Sequence, residues 1–300
     1  MYNKYMSILS GYNITGDGLR LYCKIIEYGI NTDNYKCTML FGTGMRKFCL
    51  TASYNKKNQY EIYIDRVEKQ DICILDSRLS NVGDGTAKLV KIALWTMKQL
   101  YPHVKQYTFI DTSQIHCDGE HSKDTMHMGY DYILKYNKTW YQKKFKAELE
   151  SEEYAEKLNK SLKALDEEIV PLDLIKDIFP DFIEKYKQEY ESSNTPRDFI
   201  NKLRKKHGKE YCNIVGQWLN RYMKYLRINI YPESWLIKEE NIIKPTKFKA
   251  TKLSPSDVTT RLNRISGGKR TRKQYKYCIM NNCIIGGSDI IGVYNDNDDY

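Results

Sequence analysis

No apolar run in this 300-residue chain approaches the roughly 20 residues a helix needs to cross a membrane. The opening residues, Met1-Tyr2-Asn3-Lys4-Tyr5-Met6, lack the apolar core of a secretory signal. Both absences point to a soluble, intracellular chain without a membrane partner. The eight cysteines (Cys23, Cys37, Cys49, Cys73, Cys117, Cys212, Cys278, Cys283) show no zinc-finger spacing, and no histidine follows Cys278 and Cys283. Several lie in strand-like stretches, which reads as reduced, buried thiols and argues against a disulfide framework. Alanine and proline are scarce, and no internal repeat is visible. Tyrosine is abundant at 26 residues, and Lys, Asn and Ile are common, a bias that AT-rich codons produce by themselves.

The net charge of +10 is unevenly spread. Residues 244–276 hold eleven Lys and Arg and one acid, Asp257, which leaves 37 basic and 37 acidic residues elsewhere. The body is therefore neutral, and the basicity belongs to one segment. The last 24 residues carry four Asp and no Lys or Arg.

Residues 1–115 read as a strand-rich half. Apolar, aromatic and β-branched residues alternate or run together over 19–28, 35–41, 47–54 and 60–67, separated by Gly and by Asn55-Lys56-Lys57-Asn58. This predicts an antiparallel meander leading into a strand at 71–75. A short loop with Gly83 and Gly85 follows, then a helix over 85–101 in which Val90, Ala93, Leu94, Met97, Leu100 and Tyr101 recur at helical spacing. Thr86 is a plausible cap for this helix and Pro102 its stop. A strand over 106–113 completes a crossover unit. Glycines at a strand-to-helix turn let backbone N–H groups approach an anion, and the helix N-terminus adds about half a positive charge.

Residues 116–127 read as a polar loop with three of the five histidines. Its His116, Cys117, Asp118, Glu120, His121, Asp124 and His127 include metal-ligand types, but the spacing fits no closed site, so no metal is expected. Residues 128–149 fit a strand or a helix, with helix favoured from about Lys138. Residues 150–231 read as helical, with helices over 151–168, 172–192, 195–206 and 210–228. Thr195 and Pro196 mark one start, and Pro180 should kink or split the second. The expected division is 1–149, 150–243 and a basic tail over 244–300, extended or disordered over 244–276.

This order of elements resembles the GNAT superfamily of N-acetyltransferases over roughly residues 15–147. That family holds the acetyl-CoA pyrophosphate on an Arg/Gln-x-x-Gly-x-Gly/Ala loop after a strand. Here the stretch is Ser80-Asn81-Val82-Gly83-Asp84-Gly85, with Ser80 in place of Arg or Gln. The resemblance implies an α+β fold, a GNAT-like mixed sheet with flanking helices, followed by the helical region and the tail. It implies acetyl-CoA contacts at Leu75, Val82, Gly83, Asp84, Gly85 and Thr86. It places Tyr141, in Tyr141-Gln142-Lys143-Lys144-Phe145, where the family has its general acid; Tyr136 is the substitute. Strands should close the fold after this helix, although the sequence there reads as a charged helical region. Asp111 or His116 is the candidate general base.

The implied activity is acyl transfer from acetyl-CoA to an amine. Two other readings stand beside it: a non-catalytic GNAT-like structural or scaffold protein, and a nucleic-acid-binding protein acting through 244–276. In the last, Lys269, Arg270, Arg272 and Lys273 neutralise phosphates, and Tyr275 and Tyr277 offer stacking faces. The residue bias and the Gly267-Gly268-Lys269-Arg270-Thr271-Arg272-Lys273 run also resemble proteins of large nucleocytoplasmic DNA viruses. That implies host cytoplasm or virion as location and a virion protein as a possible partner of the tail.

Overall fold

Leu19, Leu21, Cys23 and Ile25 alternate along β2 (Leu19–Tyr28), and all four are at most 3% exposed, so one face of this strand builds core. The same holds for Cys37, Met39 and Phe41 of β3 (Lys36–Gly44) and for Ile62 and Ile64 of β5 (Glu61–Val67). In the strand between them, β4 (Lys47–Asn55), a bulge shifts the register and the buried set becomes Leu50, Ala52 and Tyr54. Across that face lies α1 (Asp84–Leu100), contributing Leu89, Val90, Ile92, Ala93, Leu94 and Met97. The structure is a computed structural model, and it describes residues 8–29, 33–44, 47–67, 84–111, 114–117, 125–171, 180–228 and 234–254.

The meander has one strand more than the sequence pattern predicts. β1 (Ile8–Gly16) pairs with β2 through a two-residue turn, Asp17-Gly18, in which both residues have positive φ. That is the hairpin geometry Asp-Gly favours, because it matches the right-handed twist of the strands. Gly16 is required at the turn's shoulder: a Cβ there would sit 3.0 Å from Pro245 Cβ and 3.3 Å from Ile92 Cγ1. Asp17 then anchors the chain's return. Its carboxylate accepts from the Thr246 N–H at 2.6 Å and hydroxyl at 2.7 Å, and pairs with Lys91 at 2.9 Å. This lays β11 (Lys249–Lys252) antiparallel along β1, with Ile14 opposite Ala250. Residues 244–254, the near end of the basic segment, thus belong to the folded body; 255–276, including Lys269, Arg270, Arg272 and Lys273, lie outside the described residues.

After α1 come β6 (Gln106–Ile110), a ribbon of β7 (Gln114–His116) and β8 (Thr125–His127), then α2 (Met128–Tyr136), α3 (Trp140–Phe145), β9 (Glu148–Leu149) and α4 (Glu152–Lys163). Helices α5 (Pro180–Lys185), α6 (Lys187–Glu191), α7 (Pro196–His207) and α8 (Tyr211–Tyr225) precede β10 (Ser234–Lys238). The fold is α+β. Among the described residues, a nine-stranded mixed sheet runs β11-β1-β2-β3-β4-β5-β6-β10-β9, and β7 and β8 form a separate two-stranded sheet. The chain divides into two compact units, 1–107 with 242–300, and 108–241.

Several sequence expectations change. The first sequence helix begins at Asp84, so Thr86 lies inside its first turn rather than capping it; an acidic residue there suits the positive end of the helix. The strand expected at 71–75, with Leu75, Val82 and Gly83, lies outside the described residues. The 116–127 segment is not wholly loop, since Ile115 pairs with Met126 and His116 with Thr125. Residues 128–136 are helix, and a break at Asn137 in the left-handed region, φ 57°, separates α2 from α3. Thr139 caps α3 in a reciprocal box with Gln142. Pro180 opens α5, and the break in that region falls at Tyr186. Thr195 and Pro196 start α7 as expected, and Val215, Trp218, Leu219 and Tyr222 line the buried face of α8.

The largest correction concerns cysteine. Cys117 and Cys212 form a disulfide, and Cys49 is disulfide-bonded as well; Cys23 and Cys37 are the free, buried thiols among the described residues. Nothing in the spacing marked the first pair, because 95 residues separate its members. No helix among the described residues is long and apolar enough to cross a membrane.

Candidate functional site

β6 is buried on both faces through Tyr107, Thr108 and Phe109. It delivers Asp111, one residue past its end, to a place where the side chain is only 2% exposed. At the end of β8, His127 is the N-cap of α2. Its Nδ1 accepts the Gly129 N–H at 3.1 Å. That bond requires a lone pair on Nδ1, so the neutral ring carries its proton on Nε2. Nε2 is buried and completes no hydrogen bond of normal geometry. The backbone of His127 is fixed independently: its N–H donates to Asn220 Oδ1 at 3.1 Å, and Asn220 Nδ2 donates to the Thr125 carbonyl at 3.1 Å. One side chain of α8 thereby occupies the free edge of β8.

Tyr141 comes from α3. It is 7% exposed, its ring centroid lies 4.1 Å from that of Phe109 and 4.7 Å from that of Trp140. Burial, and then the charge of Asp111, pushes its phenol above the ordinary range. Burial lowers the His127 pKa, while Asp111 pulls it the other way through its charge and its backbone. The charge of Asp111 thus acts on both His127 and Tyr141. Both of these groups are held toward their neutral forms, Tyr141 with its O–H and His127 with its proton on Nε2.

No family model matches the chain, and no curated protein or solved structure resembles it.

The site therefore rests on chemistry alone. Of the residues expected from sequence, Asp111 and Tyr141 come together here. Tyr136 stands apart at the end of α2, 46% exposed, with the Lys143 ammonium 2.9 Å from its ring centroid. Asp84, Gly85 and Thr86 form the first turn of α1. His116 lies in β7. Among the described residues, no group of three His, Cys, Asp or Glu side chains gathers to hold a metal ion. His127 was missed as a polar loop residue; no local pattern announces a histidine that caps the helix after it.

Protonating His127 removes the cap on Gly129 and places a positive charge at a helix N-terminus, where the dipole opposes it. The folded-state pKa is thus below the ordinary 6.5, and the unfolded chain binds the proton more tightly. The stabilisation is complete above pH 6.5 and is lost as pH falls through the lowered folded value. Urea unfolding of wild type between pH 7.5 and 5 should show this loss, and His127→Asn, which keeps a capping oxygen, should show a flatter profile. Equal pH slopes in the two proteins would remove His127 from the account.

Proposed function

We propose that the chain is an acetyl-CoA-dependent N-acyltransferase of GNAT-like kind, acylating an amine by direct attack on the thioester. The observation that carries this reading is the Asp111–His127–Tyr141 cluster, a single buried carboxylate beside two neutral donors, with Tyr141 in the helix where the resemblance puts a general acid. The order of elements supports it. β9 follows α3 at once and β10 returns after the helices, so strands do follow the tyrosine-bearing helix, with the helical segment inserted between them.

The backbone at the start of α1 fits an anionic cofactor, against the opposing charge of the Asp84 side chain. First-turn amide N–H groups have no carbonyl partner four residues back, Gly85 adds no side chain over them, and the dipole is positive at this end. The backbone of Asp84, Gly85 and Thr86 would hold the pyrophosphate; Val82 and Gly83, which the resemblance also names, lie outside the described residues. Bound acetyl-CoA supplies a thioester carbon open to an amine. Asp111 takes up the proton that the amine releases. His127 offers Nε2–H to developing negative charge as a neutral donor. Tyr141, neutral through neutral and alkaline pH, would donate its O–H to the departing sulfur, and the proton taken up by Asp111 would restore the phenol, so that the amine's proton ends on the thiol.

Calorimetric titration with acetyl-CoA tests the reading. Wild type is expected to bind, and Gly83→Glu, which adds a second carboxylate next to Asp84 and replaces a glycine of the loop, to lose binding. No heat of binding by wild type at millimolar cofactor would end the enzyme reading.

One observation favours a second reading, contact with a polyanion. Lys244, Lys247, Lys249 and Lys252 are all exposed, and no acid lies between 244 and 254. Titrating a DNA duplex at two salt concentrations separates the readings, because phosphate neutralisation weakens steeply with salt.

A further inference from the structure

The disulfide joins two pieces of unit 108–241 that meet beside Thr125, two residues before His127. Cys117 follows β7 directly, and Cys212 is the second residue of α8. Both residues are only half-buried. β7 and β8 have three residues each and form a two-stranded sheet of their own, a size with little stability by itself. The inner strand, β8, is held to α8 by Asn220. The outer strand, β7, is tied to α8 by the disulfide. Cys117 Sγ lies against the helix backbone where α8 has Gly216, and a Cβ there would come within 3.0 Å of the sulfur. The outer strand in turn pairs Gln114 with His127. A covalent tie, a weak ribbon and the capping histidine thus form a continuous line of contacts.

We propose that the Cys117–Cys212 disulfide is a reversible redox switch on the Asp111–His127–Tyr141 site. Oxidised, it keeps the ribbon in register and His127 on the Gly129 N–H. Reduced, it releases β7 and leaves His127 held only by Asn220 and its cap on Gly129, so its position loosens. The functional meaning rests on the acyltransferase reading; the coupling of the sulfurs to the ribbon does not. The reductant is a small dithiol. One of its thiolates attacks Sγ of Cys117 or Cys212, the Sγ–Sγ bond breaks, and a mixed disulfide forms. The second thiol of the reductant displaces the cysteine and closes a cyclic disulfide. Two electrons and two protons pass to the protein, leaving two cysteine thiols, and a disulfide oxidant reverses the exchange.

Reduction is a switch rather than an unfolding event because the core of this unit is built without either sulfur. Trp235, Phe199, Leu203, Leu219 and Tyr222 are all fully buried away from solvent. The free thiols among the described residues, Cys23 and Cys37, do not compete. Burial keeps Cys23 well up and pushes Cys37 up to about 11, so neither is a thiolate at neutral pH.

The experiment compares oxidised wild type, wild type held in dithiol, and the double variant Cys117→Ser/Cys212→Ser, which isolates this pair from Cys49. Amide hydrogen exchange and acyl transfer are read on each. Exchange over 125–130 should rise about tenfold or more in the reduced protein and the double variant, with protection in α7 and β10 unchanged. Acyl transfer should fall in the same two samples, and dithiol should not change exchange over 125–130 in the double variant. Unchanged exchange over 125–130 overturns the switch, whatever the activity. Loss of protection in α7 and β10 also overturns it, because the disulfide is then a staple for the whole unit. Raised exchange with no acyl transfer in any sample upholds the coupling and overturns the acyltransferase reading instead.

Discussion

Tyr141→Phe should lower acyl transfer about 10²–10⁴-fold, the range a positioned proton donor contributes, while leaving the fold intact. The change removes one oxygen from a side chain whose ring does the packing. Phe109 at 4.1 Å, Trp140 at 4.7 Å and Phe145 at 6.4 Å keep their contacts with the phenylalanine ring. A large activity loss without a shift in unfolding midpoint is therefore the expected signature, and equal turnover in the two proteins would remove Tyr141 from the chemistry. The pH profile adds a second readout. Burial and Asp111 hold the phenol up, so Tyr141 contributes no alkaline limb in the working range. The acid limb that comes from His127 losing its neutral form should lie below pH 6.5 and persist in the variant.

Arg197→Ala should cost unit 108–241 about 2–4 kcal/mol, because it strips several charge-assisted hydrogen bonds at once. Arg197 spends all five guanidinium N–H donors. Nη1 donates to the carbonyls of Ile133 at 3.0 Å and Leu134 at 2.6 Å. Nη2 donates to Asn137 Oδ1 at 3.2 Å and Asp166 Oδ2 at 3.1 Å, and Nε to Asp166 Oδ1 at 2.6 Å. The two carbonyls belong to the last turn of α2, where intrahelical donors run out and a cation is favoured by the dipole. Asp166 is half exposed, so its share of the loss is the smaller one. Arg197→Lys keeps the charge but not the planar fork, and should recover less than half of the loss. Urea unfolding with an unchanged m-value would measure both. A loss below about 0.5 kcal/mol for the alanine variant, the scale of an ordinary surface change, would contradict this account.

The helices were largely legible because their information is local. The stripe from Val90 to Met97, Thr195 with Pro196, and the apolar face of α8 each announce themselves within a few turns. The Asp17-Gly18 hairpin was equally local, and its Asp-Gly signal lay within reach of the same reasoning. Strands β7, β8 and β9 were not legible, since two or three residues carry no period to read. Residues 249–252 carried a basic, polar pattern that reads as tail; they became a strand because Asp17 captured Thr246 and brought them to β1.

The candidate site shows the same division. Asp111 and Tyr141 were each nameable from their surroundings in the chain. Their meeting with His127 was not, and neither was the disulfide between Cys117 and Cys212. By itself the sequence determined the meander, the amphipathic α1, the capped helices and the concentration of positive charge after residue 243. Periodicity, capping chemistry and charge are properties of neighbours along the chain. Tertiary structure alone decided which sulfurs pair, that β11 joins β1, and that the charge of Asp111 acts on both His127 and Tyr141. Those outcomes depend on how buried surfaces pack across tens of residues, and no short window of sequence encodes that packing.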